Sequence, residues 1–146
     1  MESILKWRVS NLLLASFGVS PMLYTVRGLE DGAGGIEIRV RVLSKEEPRK
    51  VRTQKGEEHT VVDVRVGDRT GLVTLSLWDE RADEVDVGEV VDIKNGYVGR
   101  FKGRIRLNIG KYGSMEKVED LGFPSIEEIA ERQSFRIQRH KTTSKF

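Results

Sequence analysis

The chain has 146 residues, a formal net charge of +2, 33% charged residues and no cysteine. This length fits one modest domain with appended segments, and the lack of cysteine excludes disulfides, thiolate zinc sites and a cysteine nucleophile. No stretch approaches the roughly 20 apolar residues of a membrane span, so no membrane partner is expected. This composition fits a reducing cytoplasm.

Residues 1–35 are predicted to form an extension that is separate from the main domain. Apolar residues between positions 4 and 13 can line one side of a short amphipathic helix. The glycine-rich segment 31–35 is typical of a joint. Met22 begins a stretch that reads as the natural lead-in to the domain, and our hypothesis is that translation of the native product starts there.

From Ile36 the hydrophobic pattern changes to a period of two, which predicts strands with one buried face. The first strand is expected to be long and to bend at Pro48, which cannot occupy a central ladder position. A short helical insert is expected over residues 79–86, between the third and fourth strands. The five predicted strands cover residues 36–53, 62–66, 72–78, a segment that starts at 90, and 104–109.

A small closed sheet with these five strands and one short insert is an all-β OB-fold barrel, the oligonucleotide/oligosaccharide-binding architecture. The sequence therefore predicts one OB domain over residues 36–118, without an internal repeat. After it, Ser125 and Glu128 form a capping pattern that predicts a short helix over residues 126–132. Residues 133–146 carry four basic and no acidic residues, so residues 119–146 are expected to be a short helix followed by a basic, flexible tail.

A basic and aromatic segment lies between Lys94 and Lys111, where no acidic residue occurs. Positive charge attracts a phosphate backbone, and aromatic faces stack on unpaired bases. The combination predicts binding of single-stranded nucleic acid, with base contacts from Tyr97 and Phe101. The six basic residues of the segment are Lys94, Arg100, Lys102, Arg104, Arg106 and Lys111.

Two other strands are expected to contribute to the same binding face. Trp78 shares strand parity with Thr74 and Ser76, opposite the apolar residues, so it is predicted to be an exposed stacking platform. On the first strand, Arg49 adds charge and Thr53 can hydrogen-bond a base or a phosphate.

No enzyme is predicted, and neither a metal nor a cofactor is expected. The chain has no serine–histidine–aspartate set, zinc-binding H-E-x-x-H motif or phosphate-binding glycine loop, and its acidic residues from Asp79 to Asp86 fit a solvated turn. Two alternatives to a DNA-binding role remain open at this stage. One is an RNA-binding barrel, because stacking and phosphate contacts serve RNA equally well, and the other is a protein–protein assembly module.

Residues 36–112 resemble the archaeal single-barrel single-stranded DNA-binding proteins, which are relatives of replication protein A. The resemblance rests on V-G-D-R-T-G-L-V-T-L-S-L-W (Val66–Trp78), V-G-E-V-V-D-I-K-N-G-Y (Val87–Tyr97) and R-F-K-G-R-I-R-L-N-I-G (Arg100–Gly110). It implies a monomeric barrel that coats single strands with little sequence preference in replication, recombination and repair, and that meets other proteins of those processes.

The same resemblance implies which residues contact DNA. The three base-stacking aromatics of the family fall on Trp78, Tyr97 and Phe101, and Tyr97 stands where tryptophan is common, which predicts weaker stacking at that step. Family contacts on the bent first strand fall on Arg49, Val51 and Thr53. The short basic C-terminus, in place of a long glycine/arginine-rich spacer with an acidic tip, is expected to strengthen DNA binding.

Overall fold

The computed structural model describes residues 23–120 and 122–143, with side chains described through residue 134. The predicted N-terminal helix, the proposed start at Met22 and the last three residues lie outside this part of the chain. None of the helices within these ranges is long and apolar enough to cross a membrane.

Six strands form one sheet that closes on itself. The strand order is β1-β5-β6-β4-β3-β2, and an additional pairing of β1 with β3 completes the ring. Neighbouring strands are antiparallel except β4 and β6, which run parallel. The predicted OB-fold barrel is confirmed. The strands are β1 (Ile36–Lys45), β2 (Arg49–Arg52), β3 (Glu58–Asp68), β4 (Gly71–Trp78), β5 (Val90–Phe101) and β6 (Arg104–Val118).

The predicted count of five strands is wrong by one, because the long first strand is divided into β1 and β2. The break covers residues 46–48, where Pro48 has no N–H to donate to a ladder. Both parts still pair with β3, and the Glu46 backbone N–H donates to the Asp63 carbonyl (2.9 Å) between them. The interruption therefore bends the strand without detaching it from the barrel.

Alternation along the strands separates a buried apolar interior from a polar outer face. Ile36, Ile38, Val40 and Val42 on β1 have no exposed surface. The same period continues on the other strands, and it places the even-numbered residues 104, 106 and 108 of β6 outward, as predicted. Other members of the core are Val64, Val66, Leu75, Leu77, Ile93, Val98 and Leu107.

The predicted insert is a short 3-10 helix at Asp79–Glu84. It closes one end of the barrel, because Ala82 and the following Val85 are buried in the core. The Lys45 ammonium donates to the carbonyl oxygens of both residues (2.7 and 2.9 Å), which satisfies backbone acceptors that the turn leaves without helical partners.

The described part of the predicted extension, residues 23–35, packs against the barrel. Val26 and Leu29 are buried in the core, and a 3-10 turn covers Val26–Gly28. The Val98 N–H donates to the Ala33 carbonyl (2.8 Å) and the Gly32 N–H donates to the Val98 carbonyl (3.0 Å), so this segment lies alongside β5. The domain boundary at residue 36 stays a prediction.

The C-terminal helix, α1 (Ile126–Thr143), is longer than predicted. The Ser125 hydroxyl accepts from the Glu128 N–H (3.1 Å), which confirms the predicted cap. The predicted end at residue 132 is wrong, because no glycine or proline interrupts the following segment and its residues are compatible with a helix. Ile129 is buried, and a Cβ atom at position 67, which is a glycine, would lie only 3.1 Å from Ile129 Cγ2. The helix therefore packs tightly on the barrel.

Arg41 connects the barrel to the segment that leads into α1. It stands on β1 at an outward position, yet it is only 5% exposed. Its guanidinium donates to the carbonyl oxygens of Pro124 (2.6 Å), Gly88 (2.6 Å) and Phe123 (3.2 Å), and it also bonds the Asp120 carboxylate. One buried side chain therefore holds Asp120, Phe123 and Pro124 against the barrel.

Replacing Arg41 by glutamine is expected to lower the free energy of unfolding by about 2–4 kcal/mol, because one buried and three partly buried acceptors lose their donor. Denaturant unfolding of the full chain measures the change. The control is Lys50→Gln, which removes the same charge from an exposed ion pair with Glu58 and should change stability by less than about 0.5 kcal/mol. Equal stability of the two variants would contradict the anchoring role of Arg41.

Candidate nucleic-acid interface

The outer face of β3, β4, β6 and β5 forms a continuous grid of side chains. One row across these strands runs Asp63, Ser76, Asn108 and Tyr97, in that order. Because side chains alternate between the two faces of each strand, the neighbouring outward rows lie two residues away along each strand. The next row runs Arg65, Thr74, Arg106 and Gly99, and Trp78 lies opposite Val61 on the other side.

All three predicted stacking residues are exposed on the protein surface. Trp78, Tyr97 and Phe101 are 36%, 46% and 42% exposed. Large aromatic side chains in a small domain are ordinarily buried, so three exposed rings need a reason beyond packing. Tyr97 and Phe101 share the outward parity of β5, which the glycines of this strand had prevented us from predicting.

Cationic groups surround Phe101. The Arg106 guanidinium carbon lies 4.6 Å from the ring centroid, the Arg49 guanidinium carbon 5.6 Å and the Lys102 ammonium 5.4 Å. These distances fall within the range of a cation–π interaction. The structure therefore brings together three of the predicted phosphate-binding residues around one predicted stacking residue.

A tight hairpin turn places Lys102 at this cluster. Phe101 and Arg104 pair with each other, so Lys102 and Gly103 form a two-residue loop between β5 and β6. Both loop residues have positive φ (51° and 80°), as the turn that best joins twisted antiparallel strands requires. Glycine adopts this conformation without strain.

The ring of Tyr97 lies beside Gly110 of β6. A Cβ at position 110 would lie 3.4 Å from Tyr97 Cε1, which is ordinary van der Waals contact. The tyrosine ring therefore lies close to the β6 backbone, and the residue remains 46% exposed. Asn108 pairs with Tyr97 across the strands and lies between it and Ser76.

The Trp78 ring lies beside a histidine that the sequence had not indicated. The ring centroids of Trp78 and His59 are 5.6 Å apart at an interplanar angle of 66°, which is an edge-to-face contact. His59 Nδ1 lies 2.8 Å from Asp79 Oδ2, and Nε2 lies 3.3 Å from Glu57 Oε2. The hydrogen bonds with Asp79 and Glu57 raise the pKa of His59 above its ordinary value.

The buried carboxylate of Asp63 lies beneath the basic face. Asp63 is 8% exposed and accepts hydrogen bonds from Arg106 Nη1 (2.7 Å) and from Arg49 Nε and Nη2 (both 3.4 Å). Ser76 Oγ also bonds it at 3.5 Å. Burial raises the pKa of Asp63, but the hydrogen bonds from Arg49 and Arg106 outweigh burial and hold it below its ordinary value. This carboxylate is therefore ionised at neutral pH.

Other predicted contact residues are more dispersed. Lys94 is exposed, but it lies seven positions before Phe101 on β5, which corresponds to about 23 Å along an extended strand. Arg100 pairs with Asp31 (3.0 Å) and donates to the Gly103 carbonyl (3.2 Å). Their roles as phosphate ligands stay predictions.

Two further predicted residues, Val51 and Thr53, lie on β2 and in the turn that follows it. Val51 is half-buried and pairs with His59 across the strands. Thr53 Oγ1 is buried, and it has no hydrogen-bond partner within residues 23–120 and 122–143. Their contacts with nucleic acid stay predictions.

An open groove of about 560 Å³ adjoins the Phe101 cluster. Its lining includes the predicted residues Phe101, Arg104 and Arg106. It also includes Arg65 and Thr74, which the sequence analysis did not select, although both have the outward parity of their strands. The groove therefore extends the basic face from the β5–β6 hairpin to β3 and β4.

The raised pKa of His59 gives a prediction about pH. The stability that its ion pairs contribute should be fully present below the unfolded pKa of about 6.5, and should be lost as pH rises through the higher folded pKa. An NMR titration of His59 in Asp79→Asn should show a lower pKa than in the unsubstituted protein. Asparagine tolerates the positive φ (54°) at this position.

Asp83→Asn is the matched control for this titration, because it removes an exposed carboxylate from the same 3-10 helix. It should leave the pKa of His59 almost unchanged. An equal pKa in the Asp79→Asn variant and the unsubstituted protein would show that Asp79 does not hold the proton on His59.

Comparison with known proteins agrees with this geometry. The chain is 35% identical to the single-stranded DNA binding protein Ssb of Saccharolobus solfataricus over 106 residues, which cover 73% of this chain and 71% of that protein. It is 31% identical over 109 residues to replication factor A of Methanothermobacter thermautotrophicus, of which it spans only 13%. The solution structure of the replication factor A related protein from Methanobacterium thermoautotrophicum superposes with a TM-score of 0.58 at 27% identity, covering 68% of this chain and 94% of that one.

The family model for the Ssb-like single-stranded DNA binding protein with an OB fold matches residues 29–117. This match covers all six strands except the last residue of β6 and includes all three exposed aromatics, and it confirms the resemblance seen in the sequence. The chain belongs to the Ssb-like family of single-stranded DNA-binding OB-fold proteins.

Proposed function

We propose that this protein binds single-stranded DNA by stacking bases on Trp78, Tyr97 and Phe101 and by pairing phosphates with the surrounding basic side chains. The observation that carries this proposal is the exposure of all three rings on one face of a closed barrel. The family to which the chain belongs supports the same assignment.

The rings and the charges have separate tasks in this mechanism. Basic side chains on the β5–β6 hairpin attract the strand and release counterions from its phosphates, without regard to sequence. Each base then has a π-face that can stack on an aromatic ring, so the bound strand is held with little preference between bases. Duplex DNA hides those faces, which favours single strands.

Stacking also explains why the protein needs no catalytic group for this task. Coating a strand requires only reversible contacts, and the proposed role is to protect and present strands during replication, recombination and repair. We also propose that the protein is a non-catalytic monomer. It would act in the cytoplasm, associated with the nucleoid, and would meet other proteins of those processes there.

Replacing each aromatic by alanine should weaken binding of a fluorescently labelled thymine oligomer by about 1–3 kcal/mol, because one base loses its stacking partner. Fluorescence anisotropy measures the affinity of the full chain. Tyr112→Ala is the control, since Tyr112 is more exposed than the three rings but lies outside the rows described above. Unchanged affinity in all three variants would contradict the stacking mechanism.

The same titration at several salt concentrations tests the phosphate contacts. With about four to six phosphates neutralised, the logarithm of the affinity should fall against the logarithm of the salt concentration with a slope near −3 to −4. Matched duplex DNA and RNA of the same sequence complete the comparison. Affinity that does not change with salt would contradict phosphate capture, and stronger binding of RNA would reassign the substrate.

A further inference from the structure

Asp63 lies where an anion is unexpected, beneath the basic face and next to the Phe101 cluster. It contacts two arginines that the sequence predicts as phosphate ligands, Arg49 and Arg106. A carboxylate and a phosphate compete for the same guanidinium donors. An arginine that is firmly held by Asp63 is therefore not free to neutralise a phosphate.

The two arginines are held very differently. Arg106 donates to Asp63 at 2.7 Å and to Ser76 Oγ at 3.2 Å, and its side chain is 20% exposed. Arg49 reaches Asp63 only at 3.4 Å through each of two nitrogens, and its side chain is 41% exposed. Close, partly buried pairs resist exchange with solvent and salt more than loose, exposed ones.

Arg106 is also the cation closest to the Phe101 ring, at 4.6 Å from its centroid. A guanidinium that lies on one face of an aromatic ring supports the ring and leaves the opposite face for a base. Asp63 and Ser76 fix that guanidinium from below. The ring is thus held in place by a chain of contacts that begins at the buried carboxylate.

We propose that Asp63 gives the two arginines different roles in DNA binding. Asp63 is a positioning residue that keeps Arg106 against Phe101 as a support for base stacking, whereas Arg49 leaves the carboxylate and pairs with a phosphate when the strand binds. This inference rests on the proposed function. In this proposal Arg106 is not a phosphate ligand, and the acidic residue Asp63 contributes to base stacking by positioning Arg106.

The test compares two probes in anisotropy titrations of the full chain across a range of salt concentrations. One probe is a thymine oligomer of about twelve nucleotides, within the site sizes of OB folds, and the other has the same backbone length without bases. The salt slope counts phosphate contacts, at about 0.7 per phosphate for a single strand. The ratio of the two affinities reports base stacking.

Arg49→Gln should reduce the magnitude of the salt slope by about 0.7 and leave the affinity ratio of the two probes unchanged. Arg106→Gln should leave the slope unchanged and reduce that ratio at least about threefold, because Phe101 loses its support. Asp63→Asn should reduce the ratio similarly and increase the slope magnitude by about 0.7, because the released Arg106 can then reach a phosphate.

Two further variants serve as controls. Asp63→Glu keeps a carboxylate and should retain most of the affinity ratio, whereas Arg69→Gln removes an exposed charge in the β3–β4 turn and should change neither quantity by a comparable amount. Thermal unfolding monitored by circular dichroism verifies that each variant is folded at the titration temperature.

The proposal would be overturned if Arg106→Gln lowered the slope as much as Arg49→Gln. It would also be overturned if Asp63→Asn strengthened the binding of both probes equally, since that is the effect of charge alone. Failure of the proposed function looks different. In that case the unsubstituted protein itself would bind neither probe, or would bind both with equal affinity.

Discussion

The parallel pairing of β4 with β6 is the contact on which the binding face depends. It joins Thr74, Leu75 and Ser76 to Arg106, Leu107 and Asn108, and so connects two hairpins that are distant in sequence. The inward members of these pairs, Leu75 and Leu107, are fully buried, so hydrophobic burial sets the register. The same register fixes which outward side chains are neighbours on the two strands. A shift of one residue would turn the aromatic and basic side chains into the core.

Alternation explains why much of the fold could be predicted from the sequence. Where one face is buried, a period of two fixes which residues point outward, and Trp78 and Arg106 lie as this rule predicts. The rule fails on β5, where Asn95 has a positive φ of 56° and the register shifts between Lys94 and Gly96. A bulge lies between Lys94 and Tyr97 and changes which alternate residues point outward. The local sequence does not indicate which residue is the extra one in the bulge.

The ion-pair partners of the basic residues were harder to predict than side-chain orientation, because the carboxylate that pairs with Arg106 is distant in sequence. The segment from Lys94 to Lys111 contains no acid, yet Arg106 bonds a carboxylate 43 residues away. Asp63 had the outward parity that would reveal it, since it alternates with Val62 and Val64 on β3. Only the strand order, which the hydrophobic pattern does not encode, shows that this position faces Arg106.

Arg41 and Arg49 show that outward orientation alone does not determine what an arginine binds. Both belong to the first strand of the predicted fold, but the segment before α1 covers Arg41 and supplies backbone carbonyls that accept its hydrogen bonds. Nothing in the described structure covers Arg49, whose bonds with Asp63 are long. A buried cation such as Arg41, whose side chain is 6% exposed, stabilises the fold because its loss would leave partly buried acceptors unpaired, whereas an exposed cation exchanges acceptors at little cost. Access to solvent therefore separates the structural cations of this barrel from those that can meet a phosphate.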